Sequence, residues 1–190
     1  MRVLVGCEES GKVRDAFAAL GHDAWSNDII PARNGGKHLQ MCVTKAIVEY
    51  GNWDLIILHP DCTKIAVSGN RWYGRGKEGY QGRLNALEWT RELFNLAARS
   101  CERVCLENPV GVLGVLRGIS PQYVQPYQFG HSETKKTGLW LHGLPPLIPT
   151  NIVEPTEQRI WKMPPSPTRK RDRSETYQGI ADAMANQWGK

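Results

Sequence analysis

No run in this sequence approaches the roughly 18 consecutive apolar residues that a membrane-spanning helix requires, and no long apolar signal region opens it. Cysteine is scarce and odd in number. The five are irregularly spaced, which fits reduced thiols better than a disulfide framework. Cys101 and Cys105 form the one close pair, and no second pair completes a zinc site, so no metal is expected. These absences argue against a membrane protein, a secreted disulfide scaffold and a zinc module, and they fit a cytoplasmic protein. The remainder is ordinary for a globular chain: 190 residues, 41% hydrophobic and 23% charged, enough for one domain with a real core. A net charge of +5 permits an anionic partner such as nucleic acid without requiring one.

The most informative stretch runs from Asn52 to Gly69. Leu55 to Leu58 is a short apolar run with polar flanks, which predicts a buried strand. It ends in His59-Pro60-Asp61, where Pro60 stops the ladder and forces His59 into extended backbone. Cys62 then lies just past the carboxyl end of a central strand, the position where open α/β sheets bind ligands. A cysteine there is a candidate nucleophile or a small buried hydrophobe, and position alone leaves both open.

The chain opens with a predicted strand, Met1 to Val5, which runs into Gly6-Cys7-Glu8-Glu9-Ser10-Gly11. Val13, Ala16, Phe17 and Leu20 follow at the spacing of one buried helix face, and Gly21 provides the stop. Strand, glycine-bearing turn and helix form the first unit of a nucleotide-type fold. Gly6 to Lys12 matches phosphate-loop spacing, but Val13 stands where a magnesium-binding hydroxyl is needed. Glu8 and Glu9 would also repel phosphate oxygens. An acidic glycine turn suits a ligand with a positive amino group and ribose hydroxyls, such as S-adenosylmethionine, and a plain tight turn is the alternative. A second strand, Asp23 to Ile30, carries Asp28 close to the ~20-residue distance at which a ribose-binding acid follows such a turn.

Pro31 to Lys37 reads as a loop and Val43 to Tyr50 as a modest helix. Residues 70–83 interleave glycines with basic and aromatic side chains and show no helical or strand period, which predicts a loop. Arg71, Trp72 and Arg75 could grip a phosphate backbone while rings stack on bases; a solvated loop is the alternative. Leu84 to Ser100 is an amphipathic helix with Leu87, Phe94 and Ala97 inward. It leads to a strand at Arg103 to Leu106, which ends in Glu107-Asn108-Pro109, again with a proline to break the ladder. Two neighbouring strands would thus bring Cys62 and Glu107 to one edge of a sheet. Thr137 to His142 is a further strand. Residues 144–167 hold seven prolines and read as extended surface chain. Thr168 to Arg173 is strongly basic, a phosphate contact or a solvated face. A closing helix at 174–190 carries Ile180, Met184 and Trp188 on one stripe.

Taken together and in this order, these motifs resemble the DNA cytosine-5 methyltransferases, in particular their compact phage-type members. Gly6 to Gly11 is similar to the family's cofactor turn and Ser26-Asn27-Asp28 to its ribose-binding acid. His59 to Gly69 resembles the Pro-Cys loop, Glu107-Asn108-Pro109 the Glu-Asn-Val motif, and Phe129 to Leu141 the basic strand that contacts the target base. Tyr177 to Gly189 is similar to the helix that completes the cofactor pocket.

The resemblance implies a single Rossmann-like α/β methyltransferase domain over residues 1–190, with a mostly parallel sheet and, if phage-encoded, a place in the host cytoplasm. It implies S-adenosylmethionine held by Gly6, Cys7, Glu8, Ser10, Gly11, Asp28, Ile29 and Pro60. Its catalytic residues would be Cys62 as nucleophile, Glu107 at ring nitrogen 3 of cytosine, and Asn108 holding the loop. DNA, single- or double-stranded, would meet Arg71, Trp72, Arg75, Lys135, Lys136, Arg169, Lys170 and Arg171. Two departures carry expectations of their own. Asp61 stands where the family has proline, and a carboxylate beside the thiol should raise its pKa. The segment between Lys136 and Ser174 is too short for a full target-recognition domain, so a methyltransferase-like binding module without catalysis is the alternative.

Overall fold

The computed structural model describes residues 1–190, the side chain of Trp161 apart. The chain opens with strand β1 (Arg2–Gly6), helix α1 (Lys12–Ala19) and strand β2 (Asp23–Asp28). A short β3 (His38–Gln40), α2 (Val43–Val48) and β4 (Leu55–Leu58) follow. Next come α3 (Asn70–Tyr73), the long α4 (Tyr80–Ser100), β5 (Val104–Pro109), β6 (Gln122–Val124) and β7 (Thr137–His142). Helices α5 (Arg159–Lys162), α6 (Arg169–Ser174) and α7 (Gln178–Trp188) end the described chain.

The strands form one sheet in the order β3-β2-β1-β4-β5-β7-β6. Neighbours from β3 to β5 are parallel, while β7 runs antiparallel to both β5 and β6. One reversed strand is thus inserted into an otherwise parallel sheet. The order reverses between β1 and β4, which makes their carboxyl ends the switch-point crevice.

The two-residue side-chain period of a strand sorts the apolar residues onto two faces. Val3, Val5, Leu55 and Ile57 share a core with Phe17 of α1 and Met184 and Trp188 of α7. Leu4, Ile56 and Leu58 share the opposite core with Ile47 of α2 and Leu93 and Phe94 of α4. Because both faces are covered, β4 reads Leu-Ile-Ile-Leu without a polar residue, and all four are buried. Gly6 is required at the end of β1: a Cβ there would lie 2.7 Å from Val43 Cγ2 and 2.9 Å from Leu58 Cδ2.

Several expectations need correction. Residues 70–83 are not one loop: α3 occupies 70–73, α4 begins at Tyr80, and only 74–79 lie between them. The close glycines hid the four-residue α3 and the first turn of α4, which pack together. Pro109 does not break the ladder but is the last residue of β5, paired with Thr137. Leu20 is 48% exposed instead of buried, because α1 ends at Ala19 and Leu20 is its cap. The basic run at 168–173 lies largely within helix α6. Among the described residues, no helix is long and apolar enough to cross a membrane, and no cluster of three metal-ligating side chains occurs.

Candidate active site

The turn after β1 is built around a buried carboxylate. Glu8 is 5% exposed, and its Oε1 accepts hydrogen bonds from the backbone N–H of Val13 at 2.8 Å and from Ser10 Oγ at 3.1 Å. Its Oε2 accepts from the backbone N–H of Arg14 at 3.4 Å. Glu8 therefore satisfies the open N–H groups at the positive end of α1. The sequence pointed this acid at a ligand's amino group; in the structure its carboxylate also caps the helix. Cys7 and Gly11 both adopt left-handed backbone, with φ of 60° and 75°, and give the turn its sharp shape. Burial pushes the Cys7 thiol up to about 12, with help from the charges of Asp28 and Asp61. Asp28 ends β2 and Asp61 follows β4, the two strands that flank β1, so these acids lie on either side of the β1 end.

Asp28 ends β2, next to the crevice. Its Oδ1 accepts one local bond, from the Ile30 backbone N–H at 3.2 Å, which leaves acceptor capacity for a pair of hydroxyls. Ile29 beside it is 73% exposed and offers apolar surface for a flat ring. Behind it, buried Asn27 donates to the carbonyls of Leu39 and Met41 at 2.7 and 2.9 Å, locking β3 to β2. The free acid, the apolar neighbour and the glycine turn fit S-adenosylmethionine. Glu9 contributes differently, through a two-pronged pair with Arg33, and Arg33 also reaches Glu175 at 3.3 Å.

The second half of the site lies at the ends of β4 and β5, which are parallel neighbours. Cys62 sits in a turn whose carbonyl accepts from Ile65 and Ala66 at 3.1 and 2.9 Å. Burial pushes its thiol up to about 11, and the charges of Glu107 and Asp61 add to that while Lys135 opposes it. Asp61 thus acts in the expected direction, but burial and Glu107 weigh more. Its carboxylate is turned towards Thr63, from which it accepts backbone and hydroxyl bonds at 2.9 and 2.5 Å, and towards Lys170 Nζ at 3.1 Å. Burial alone would push Asp61 up; Thr63 and Lys170 outweigh it and hold it below the usual value.

Glu107 faces His59, with its Oε2 3.3 Å from Nδ1. Burial alone would push Glu107 up, but the His59 bond and charge, Lys135 and Thr137 together hold it down, so it is a carboxylate at neutral pH. Asn108 is 1% exposed and donates from Nδ2 to the Pro60 carbonyl at 3.3 Å, tying the two strand ends together.

Of the basic candidates, Lys135 belongs to this centre. Its Nζ donates to the Glu175 carbonyl at 3.3 Å and lies 5.8 Å from the Tyr177 ring centroid. Lys136 turns away, onto the Tyr123 ring of β6. Arg71 lies against Trp72, which is 64% exposed, and Arg75 is exposed nearby. From α6, Lys170 reaches the Cys62 turn through Asp61, whereas Arg169 donates to the Met163 carbonyl and Arg171 approaches Asp172. A cavity of about 10 Å³, room for one water, lies beside Glu107 between Lys135, Thr137 and Tyr177.

His59 and Arg14 are the residues that sequence reasoning passed over. Arg14 is 1% exposed and clamps the loop after β2, donating to Ser26 Oγ, Asn34 Oδ1 and the Gly35 carbonyl at 3.0, 2.7 and 2.7 Å. A cation on the covered face of a short helix was its available signal. His59 had none beyond its place at a strand end, since its partner is 48 residues away.

No protein-family model matches this sequence, and no curated protein matches it. Among solved structures, the chain is similar to an E. coli protein encoded within a prophage and named, provisionally, as a DNA modification methyltransferase. The TM-score is 0.53 at 13% identity, and the match covers 80% of this chain and 51% of the other, so this chain spans about half that structure's length. What this likeness establishes is the fold. Together with the strand order and the reversed β7, it is the Rossmann-like α/β fold of the S-adenosylmethionine-dependent methyltransferases.

Proposed function

We propose that this chain is a single methyltransferase domain that methylates DNA, at carbon 5 of cytosine, through a covalent adduct on Cys62. The observation that carries this reading is the pairing of two strand ends. Cys62 follows β4, Glu107 ends β5 beside it, and Asn108 links them through the Pro60 carbonyl at 3.3 Å. The similar prophage protein's name, the exposed cations Arg71 and Arg75, and Lys170 beside the Cys62 turn support DNA as the substrate.

S-adenosylmethionine, when bound, supplies an electrophilic methyl group on a sulfonium. Asp28 would accept its ribose hydroxyls, Ile29 would cover its ring, and the Gly6–Gly11 turn would shape its floor. The pyrimidine must first leave the base stack, at a cost of a few kcal/mol. Cys62, once ionised, forms a bond from Sγ to carbon 6, and the ring's double-bond pair moves to carbon 5, which becomes nucleophilic. Glu107, ionised in the free chain, would first take up a proton and donate it to ring nitrogen 3, neutralising the negative charge that develops there, with the Lys135 cation beside it. Once carbon 5 had taken the methyl group that the cofactor would supply, loss of its proton to a base would restore the double bond and expel Cys62 as thiolate.

One observation favours a second reading, a nucleic-acid-binding module without turnover. Burial and the charges of Glu107 and Asp61 push the Cys62 thiol up to about 11, so the un-ionised form prevails at pH 7. DNA containing 5-fluorocytosine separates the two readings, because fluorine at carbon 5 cannot leave as a proton. Methylation predicts a complex that survives denaturation and is lost in Cys62→Ala. Tight binding with no adduct, on either single or double strands, would establish the module.

A further inference from the structure

We infer that His59 is a positioning residue for Glu107, one that fixes both the orientation and the charge of that carboxylate. This rests on the role given to Glu107 in the proposed reaction. Three observations converge. The imidazole is held at the end of β4, its side chain 9% exposed, with its backbone N–H donating to the Gly6 carbonyl at 2.9 Å. Its Nδ1 lies 3.3 Å from Glu107 Oε2. Its Nε2 is buried and has no partner among the described residues.

Because Glu107 is ionised, it can only accept, so the proton between them sits on Nδ1. That assignment fixes the tautomer: in the neutral ring Nε2 is a bare lone pair, and the second proton of the cation goes there. A buried nitrogen left in that state marks a ring placed for its other end. The Nδ1–H bond holds the carboxylate plane and occupies Oε2. In the doubly protonated ring the positive charge is shared by both nitrogens, the nearer of which lies 3.3 Å from Glu107 Oε2.

The other charged or titratable groups around the pair cannot substitute for it. Cys62 and Asp61, on the same turn, and Cys105, on β5, add no positive charge. Tyr177, across the small cavity, is held in its neutral form by burial and by Glu133. Lys135 alone is a second cation, and its Nζ is tied to the Glu175 carbonyl. Without His59, burial would dominate Glu107, and the carboxyl would take up its proton at a higher pH.

The test reads Glu107 directly. Its carboxyl carbon is followed by NMR in the ¹³C-labelled full chain, assigned by the signal lost in Glu107→Gln. In His59→Leu, its titration midpoint should rise by about one pH unit, a tenfold gain in proton affinity. His59→Gln, which keeps a donor but no titratable charge, should fall between the two; if the leucine variant does not fold, the comparison rests on it. An unchanged midpoint in folded variants overturns the inference. Adduct formation with 5-fluorocytosine DNA is run in parallel, and its pH dependence should shift in step with the Glu107 midpoint. If the wild-type chain forms no adduct at any pH, the proposed reaction fails, and the titration still decides the role of His59.

Discussion

Asn108 on β5 donates to the carbonyl of Pro60 on the turn after β4, and this 3.3 Å contact is a direct side-chain link between the strand end bearing Glu107 and the turn bearing Cys62. Both groups are out of water, so the bond cannot be replaced by solvent. Asn108→Ala should cost about 1–3 kcal/mol, the penalty for stranding a buried acceptor, and should also loosen the cysteine turn. Urea unfolding measures the first effect and the yield of 5-fluorocytosine adduct the second. Wild-type values for both would remove Asn108 from the site.

Alkylation of Cys62 by iodoacetamide, followed by mass spectrometry, should rise with pH towards a midpoint near 11. Glu107→Gln should lower that midpoint more than Asp61→Asn, because Glu107 exerts the larger of the two charge effects. Each change removes a negative charge that disfavours the thiolate, so both shifts are downward. The reverse order would identify Asp61, spaced from the thiol by its bonds to Thr63 and Lys170, as the dominant brake.

Stability should fall on both sides of neutrality. Glu107, Asp61 and Glu175 are held below their ordinary values when folded, so their contribution is complete above about pH 4.5 and is lost as pH falls through the folded values. The cysteines give the opposite sign. Cys7 and Cys62 titrate near 12 and 11 when folded against 9.0 when unfolded, so their contribution is complete below pH 9 and is lost as pH rises. Urea midpoints from pH 3 to 11 would trace both limbs, and Cys7→Ala should flatten the alkaline one.

Trp188 is fully buried beneath the sheet, and its ring N–H donates to the Pro145 carbonyl at 3.1 Å. Trp188→Ala should destabilise the chain by about 3–5 kcal/mol, through the cavity left and the stranded carbonyl. An effect below about 1 kcal/mol would show that α7 is not integral to the core.

Lys170→Gln should weaken DNA binding and reduce the slope of log affinity against log salt by about 1, the amount expected for one phosphate contact. Arg169→Gln tests the neighbouring cation, of which only Nε is bonded, to the Met163 carbonyl. Equal slopes for Lys170→Gln and the wild type would place the DNA elsewhere.

The parts of this fold that were legible in the sequence are those where the covering of a face sets the pattern. β1, β4 and β5 are apolar runs because helices cover both sides, and α7 shows its stripe of Ile180, Met184 and Trp188. The pairing of Cys62 with Glu107 was legible from two strands that end alike. Contacts that depend on distant partners were not. The capping of α1 by the Glu8 carboxylate and the closing of the 34–35 loop on Arg14 both join groups that no local pattern connects. The short helix α3 was masked because its four residues carry no period of their own.

Glu175, just before α7, pairs with Lys12 at 2.8 Å and with Arg33 at 3.3 Å, both of which belong to the opening third of the chain. The walls of the crevice are therefore made from segments far apart in synthesis. A nascent chain emerging residue by residue holds its cysteine turn and glycine turn long before the helix that braces them. Folding must close that loop before the crevice has its final shape, an entropic cost met late and only once. Any capacity to modify nucleic acid should accordingly switch on abruptly, when the last helix docks, and not grow in gradually as the chain lengthens.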